Sequence, residues 1–463
     1  MERAEKFKKD ILEGPIVKTL FKLGWPVMAA NAFQIFYNLA DTYWLGKMGK
    51  EAVAAPTVAF PIIFLLISIG IGFSIAGVSL VSQHTGAGSE GKSNMAAGQV
   101  ISFMLASSIL IASLGFFASY PLLKNLMGIS AAVLPKALPF VRIIFAGLPF
   151  MFVYFAFRSL VRGVGDMITP MLLTGGSVIL NVILDPLLIF GWGGLPELGV
   201  PGAAVATVIS RVVAAFVALY LLFSGRLGIE LKLSHFRLKF RWIKQVVSIG
   251  LPSSIGMSVT AVGAIFLMGL ISRISVTAVS AYGIGQRVIR IMIMIALGLT
   301  APLTTMVGQN IGAEQVKRAE EIVKKSMVVL FVALSGIGLL ILLARTSIFR
   351  VFIDEAAVVD KGIRFLAIYV LSIPFFGIFA AVRAIFRGSG HTRPPMVLSI
   401  IRIFLIRVGL SYVLAFGLPF LKLDLGADGI WFGLTISNIL AALMAIGLLY
   451  WGNWKEQTIE REG

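Results

Sequence analysis

The stretch RSLVRGVGDMITPM (158–171) returns 225 residues later as RAIFRGSGHTRPPM (383–396), with two Arg, two Gly, the Pro and the final Met in register. The echo extends outward in both directions. Pro149 and Phe150 pair with Pro374 and Phe375 at the same offset. At an offset of 226, Gly24 and Pro26 pair with Gly250 and Pro252, AVAA (52–55) with AVSA (278–281), and Gly72 with Gly298. Gln83, Gly86 and Ala87 likewise pair with Gln309, Gly312 and Ala313. Chance likeness between apolar segments would not keep Gly, Pro, Gln and Arg in one order over half a chain. The sequence is a duplicated unit.

That unit is built for lipid. Of 463 residues, 58% are hydrophobic and 13% charged, against about 25% charged in a soluble protein, so polar surface is too scarce to cover a water-soluble fold. A membrane helix needs about 20 mostly apolar residues. Twelve stretches qualify, centred near residues 30, 65, 107, 148, 180, 212, 258, 293, 332, 372, 407 and 440. Six spans per half is an even number, so the repeats are parallel about an axis along the membrane normal, as in two-lobed transporters. The expected architecture is an all-α integral membrane protein of twelve transmembrane helices. Its N-lobe covers residues 1–225, a connecting loop residues 226–242 (RLGIELKLSHFRLKFRW), and its C-lobe residues 243–463.

The net charge of +18 would suit nucleic acid, but position excludes that partner. Lys and Arg gather in the gaps on one side: Arg3, Lys6, Lys8 and Lys9, then Arg226, Lys232, Arg237, Lys239 and Arg241, then Lys317, Arg318, Lys324 and Lys325, then Arg383, Arg387 and Arg393. The other side holds chiefly Lys47, Lys50, Lys124, Lys136, Arg273 and Lys422. Both termini and the central loop are therefore expected in the cytoplasm of a prokaryotic cell, the protein crossing its inner membrane many times. The charged N-terminus has neither an apolar core nor a cleavage site of signal-peptide type, and reads as a retained lead-in. The absence of cysteine excludes disulfides, thiolate nucleophiles and Cys-ligated metal centres, and three histidines argue against a multi-His metal site.

One motif matches a nucleotide site formally. GAGSEGKS (86–93) fits G-x-x-x-x-G-K-S, whose chemistry requires a strand leading into a helix. Here it joins two spans, and its repeat GAEQVKRA (312–319) loses Gly-Lys-Ser. It reads as an interhelical turn, and no enzymatic activity is expected.

The acids are more informative. Of 22 carboxylates, only Asp41 and Asp185 sit inside apolar spans, at similar depth about 10 Å from the outer end. Such a charge costs at least about 2.5–3.5 kcal/mol, faces the bundle interior and usually serves function. Gln34, Tyr37, Asn38 and Asp41 share one helical face, as do Asn181 and Asp185, and the sixth span adds Thr207. These are hard oxygen groups, suited to H⁺ or Na⁺. Asp41, Asp185, Asn181, Thr207 and Tyr37 are the expected cation-coupling residues, with Asp41, Asn181, Asp185 and Thr207 as ligands if the ion is Na⁺. Gln34, Asn38, Asp41 and Asp185 are the expected substrate contacts. A packing-only role for these groups would recur in both halves. Instead Asp41 aligns with Leu267, Tyr37 with Gly263, Asn181 with Ile406 and Asp185 with Leu410. Arg402 is expected to reach the cytoplasmic interface, whereas Arg407 is deep and needs a partner.

GWPVMAANAFQIFYNLADTYWLGKMG (24–49), VSQHTGAG (81–88), RGVGDMITPM (162–171), NVILDPLLIFG (181–191) and GVPGAAVATVIS (199–210) together resemble the multidrug and toxic compound extrusion (MATE) family over the whole chain. The likeness is strongest to its DNA-damage-inducible protein F-like branch. The resemblance implies a V-shaped pair of six-helix lobes that alternate between inward- and outward-facing states. It implies antiport of amphipathic, often cationic small molecules against H⁺ or Na⁺. No cofactor is expected, and the chain is expected to act as a monomer. The family's N-lobe cation site falls on Asp41, Asn181, Asp185 and Thr207, with Tyr37 nearby. Branches with a C-lobe acid differ from this chain, which has Leu267, Leu410, Arg402 and Arg407 there. A flippase of a lipid-linked precursor, from the same superfamily, is the alternative, although such proteins carry extra spans and a strongly cationic cavity.

Overall fold

In a computed structural model, residues 2–417 and 425–459 are described, and every element among them is helical. Lys422 and the side chain of Arg3 lie outside the described residues. A short amphipathic helix α1 (Glu2–Leu12) precedes twelve long ones. In the first half these are α2 (Ile16–Gly46), α3 (Lys50–Gly86), α4 (Glu90–Leu126), α5 (Leu134–Gly163), α6 (Ile168–Ile189) and α7 (Val200–Phe223). In the second they are α8 (Phe240–Ile274), α9 (Val276–Gly312), α10 (Val316–Phe352), α11 (Ala356–Gly388), α12 (Arg393–Phe416) and α13 (Gly426–Trp451). Each expected span falls on one of these helices. Eleven of them are long and apolar enough to cross a bilayer. The twelfth, α2, has 31 residues, or about 46 Å at helical rise; it falls short in hydropathy, and its outer half carries Gln34, Asn38 and Asp41.

The twelve helices alternate in direction, so α1, residues 452–459 and the central connection lie at one end, here the terminal end. Glycines set how closely the two halves approach there. A Cβ on Gly86 would lie 2.0 Å from the Gln309 carbonyl oxygen, and one on Gly312 would lie 2.0 Å from that of Gln83. Hence α3 and α9 cross in backbone contact. Gly72 likewise admits Ser254 of α8, and Gly298 admits Met28 of α2. Polar bonds follow the same two-fold logic. Gln83 Nε2 donates to the Gly388 carbonyl, and its repeat Gln309 donates to Gly163, each at 2.9 Å. Residues 452–459 overlie this seam. The Thr458 amide donates to Gln83 Oε1 and its hydroxyl to the Ser389 carbonyl, while Gln457 Nε2 donates to Ile311 O at 2.9 Å. Trp454 is buried in a core cluster drawn from both halves, and Ile459 in one formed mainly by the first.

The GAGSEGKS segment is a helix end, a turn at Gly88 (φ +71°) and a helix start, with no strand before it. Its repeat uses Glu314 at the same turn, with φ +62°. The central connection is pinned to α4. Gln99 donates to the carbonyls of His235 (2.8 Å) and Arg237 (2.6 Å) and accepts from the Lys239 amide. Since α8 begins at Phe240, the last three residues of the expected loop, 240–242, are helical.

Candidate cation-coupling site

The first half gathers its polar groups between α2, α6 and α7. Pro186, inside α6, has no amide proton, so the carbonyl of Val182 one turn earlier loses its usual donor beside Asp185. Asp185 is fully buried, and Asn181 Nδ2 donates to its Oδ1 at 3.4 Å. The carboxyl groups of Asp41 and Asp185 lie within hydrogen-bonding reach of each other. On the other flank, the Tyr37 hydroxyl meets Thr207 Oγ1 at 2.7 Å, and the phenol is also a near neighbour of Asp41. A polar chain thus runs Thr207–Tyr37–Asp41–Asp185–Asn181 through three helices.

Its acceptors outnumber its donors. Asp41 Oδ1, Asp185 Oδ2 and Asn181 Oδ1 are buried with no donor from the protein. A buried acceptor without a partner costs about 1–3 kcal/mol, and two adjacent carboxylates repel. A shared proton or a small hard cation offsets both costs. Oxygen chemistry suits either ion.

Asn38 stands apart from the cluster, and the expected depth of the acids needs correction. Asn38 lies at the edge of the α2 stripe and is exposed; what it offers is its backbone carbonyl, which accepts from Thr42 Oγ1 at 2.8 Å. It does not join the cluster. The acids are also shallower than expected, because α2 ends at Gly46, five residues past Asp41, and α6 at Ile189, four past Asp185. At 1.5 Å per residue that is about 6–8 Å from the helix end. Gln34 is half-buried and belongs to the site through a residue the sequence reading passed over, Arg211. Arg211 Nη2 donates to Gln34 Oε1 at 3.3 Å, and its guanidinium lies over the rings of Tyr154 (5.4 Å) and Tyr37 (5.9 Å). It is also an electrostatic neighbour of Asp41. The signal was available, for Arg211 is a mid-span charge four residues after Thr207. Asp166, by contrast, is buried for structural reasons, as its Oδ1 caps α6 by accepting the Ile168 and Thr169 amides at 2.9 and 3.0 Å.

The second half keeps the frame and changes the contents. Arg402 does not reach an interface: it is 3% exposed, and its Nη2 donates to Asn438 Oδ1 at 2.9 Å. Arg407 donates to the same oxygen at 2.6 Å and to Ser437 Oγ at 3.0 Å. Those are the partners its depth required.

Two repeated six-helix lobes joined at one end, with an acid pair buried in only one of them, define a membrane transporter rather than an enzyme. The MatE family profile matches the chain twice, over residues 26–187 and 252–413, so the chain belongs to the MatE family. The two matched segments coincide with the internal repeat. Among relatives, the "Probable multidrug resistance protein YoeA" of Bacillus subtilis is 28% identical over 440 residues, 94% of each chain. The "Probable multidrug resistance protein NorM" of Thermotoga maritima is 25% identical, covering 98% of this chain and 96% of its own. A solved structure described as "Outward-facing conformation of a multidrug resistance MATE family transporter of the MOP superfamily" superposes with a TM-score of 0.86 at 24% identity, over 95% of this chain and 96% of that one.

Proposed function

We propose that this transporter exports amphipathic, mainly cationic small molecules in exchange for H⁺ or Na⁺ entering through the first lobe. The observation that carries this reading is the trio of buried oxygens on Asp41, Asn181 and Asp185 that the protein supplies with no donor. A coupling ion must bind one conformation better than the other, and such a cluster gains most from an added cation when the site is closed around it. With both aspartates ionised, repulsion favours a hydrated cleft that also attracts a cationic substrate. A proton or Na⁺ neutralises the pair, lets the site close and releases the substrate. Tyr37 and Thr207 trim the site, while Arg211 holds Gln34 and keeps one positive charge beside the acids.

The charge bias of the connections supports an orientation with the terminal end inside a prokaryotic cell membrane. The lobes are latched at that end, the arrangement of a state open to the outside. The names of the relatives support drug-like cargo. Transport into proteoliposomes with independently imposed pH and Na⁺ gradients tests the reading. A cationic dye should move only with one of the two gradients and should dissipate it. Dye movement that needs ATP, or that leaves both gradients untouched, rejects the proposal.

A further inference from the structure

The second lobe repeats the cradle of the first with the sign of its charge reversed. ISR (209–211) of α7 aligns with ISN (436–438) of α13, so Asn438 stands where Arg211 stands in the first lobe. Tyr154, the ring beneath Arg211, aligns with Phe379, which lies 4.5 Å beneath the guanidinium of Arg402. The guanidinium-on-ring pair therefore survives the duplication, supplied from a different helix, while the two aspartates have become leucines. A second guanidinium, Arg407, has been added.

Residues 401–410 form a π-helix within α12. Its wider turn places residues five apart in one column, which brings Arg402 and Arg407 onto the same amide oxygen. One neutral oxygen cannot balance two cations. The other charged or titratable groups acting on Arg402 are Arg383, also a cation, and the phenol of Tyr369; no carboxylate is among them. Arg402 Nε is buried and donates to nothing in the protein. Guanidinium groups so placed have more N–H donors than these three hydrogen bonds use. Burying such charge unpaired is costly, and a forked donor pair matches an oxyanion with two or more oxygens. Arg407 is half-buried, so the pair has one sealed edge and one edge within reach of a ligand.

We propose that Arg402 and Arg407, oriented by Asn438 and Ser437, form an oxyanion-binding site in the second lobe. It takes a phosphate or carboxylate, borne either by a transported organic molecule or by a lipid headgroup. The site is independent of the cation cluster, so its test requires no transport. The full-length protein is unfolded by heat in dodecyl maltoside at constant ionic strength, with 1-naphthyl phosphate replacing chloride. In parallel it is unfolded in phosphatidylcholine nanodiscs with and without phosphatidylglycerol. A ligand that binds only the native state raises the midpoint with the logarithm of its concentration.

If the anion is carried on a soluble molecule, 1-naphthyl phosphate raises the midpoint. If it is a lipid headgroup, only phosphatidylglycerol does. In either case Arg407→Gln should demand about tenfold or more of the anion for the same shift. Arg402→Lys, which keeps the charge and loses the fork, should also weaken the response. Lys92→Gln, which removes one positive charge from the start of α4, should respond as the parent does. The proposal is overturned if neither anion moves the parent protein's midpoint, or if Arg407→Gln responds as the parent does. Both readouts survive even if Arg402 variants fail to fold.

Discussion

At the scale of single residues, the carboxyl pair behaves as one group. Two acids within hydrogen-bonding reach of each other share their protons, and under the proposed exchange mechanism removing either leaves no pair to neutralise. Asp41→Asn and Asp185→Asn should each abolish gradient-driven dye export from proteoliposomes, and the double variant should be no worse than either. Independent partial losses that multiply would show two separate sites. The Tyr37–Thr207 bond makes a second test. Each of Tyr37→Phe and Thr207→Val breaks the same hydrogen bond, worth about 0.5–1.5 kcal/mol, so their effects should not add. Either change should raise the cation concentration for half-maximal export about two- to tenfold, leaving the maximal rate near that of the parent. Much of this cluster was legible from sequence, because an acid inside an apolar span has so few inexpensive explanations. Arg211 obeyed the same rule and was passed over. Asn38 shared the right helical face yet sits at its edge, where a small rotation of α2 decides between the cluster and exposure.

At the scale of helices, glycine governs how the lobes meet. A methyl group on Gly312 would overlap the Gln83 carbonyl, and one on Gly86 the Gln309 carbonyl. Main-chain oxygen cannot swing aside, so α3 and α9 must separate. Gly312→Ala should cost roughly 1–3 kcal/mol in the latched state, in the range of overpacked cores. It should favour the alternative state. Since the chain contains no cysteine, a pair of engineered cysteines across the seam reports this cleanly, and their cross-linking yield should fall. Unchanged yield would mean that the crossing is looser than the backbone contact implies. Gly86 of GAGSEGKS serves this crossing and Gly88 the turn, so Lys92→Ala should leave transport intact; loss of export by a normally inserted variant would revive a nucleotide role. Helix positions were readable from hydropathy and the repeat. The π-helix was not, since nothing in IRIFLIRVGL (401–410) departs from an apolar span except the two arginines it brings together. Arg402 was misplaced for that reason: on an ordinary α-helix it and Arg407 would diverge, whereas the wider turn directs both to Asn438.

At the scale of the molecule, the duplication supplies the frame twice and fills each lobe with different polar groups. The two glutamines, Gln83 and Gln309, each reach the backbone at the end of the opposite lobe's fourth span, giving a symmetrical latch between two lobes whose polar clusters differ. Gln83→Ala and Gln309→Ala should therefore have similar effects on the distance between spin labels at the two distal lobe tips. Each should increase the fraction of molecules with closely spaced tips, by an amount that a change in cation-site affinity would not produce. An effect of one variant alone would show that the latch is not shared. The tail over this seam adds an order of events. Residues 454–459 are synthesised after all twelve of these helices, yet they join Gln83 and Ile311 across the lobes. While α13 is still entering the bilayer, the two lobes lack this last fastening. The seam is therefore fastened from the aqueous side, after these twelve helices have inserted, and a chain stopped after Trp451 should insert twelve helices but leave its seam unbuttoned.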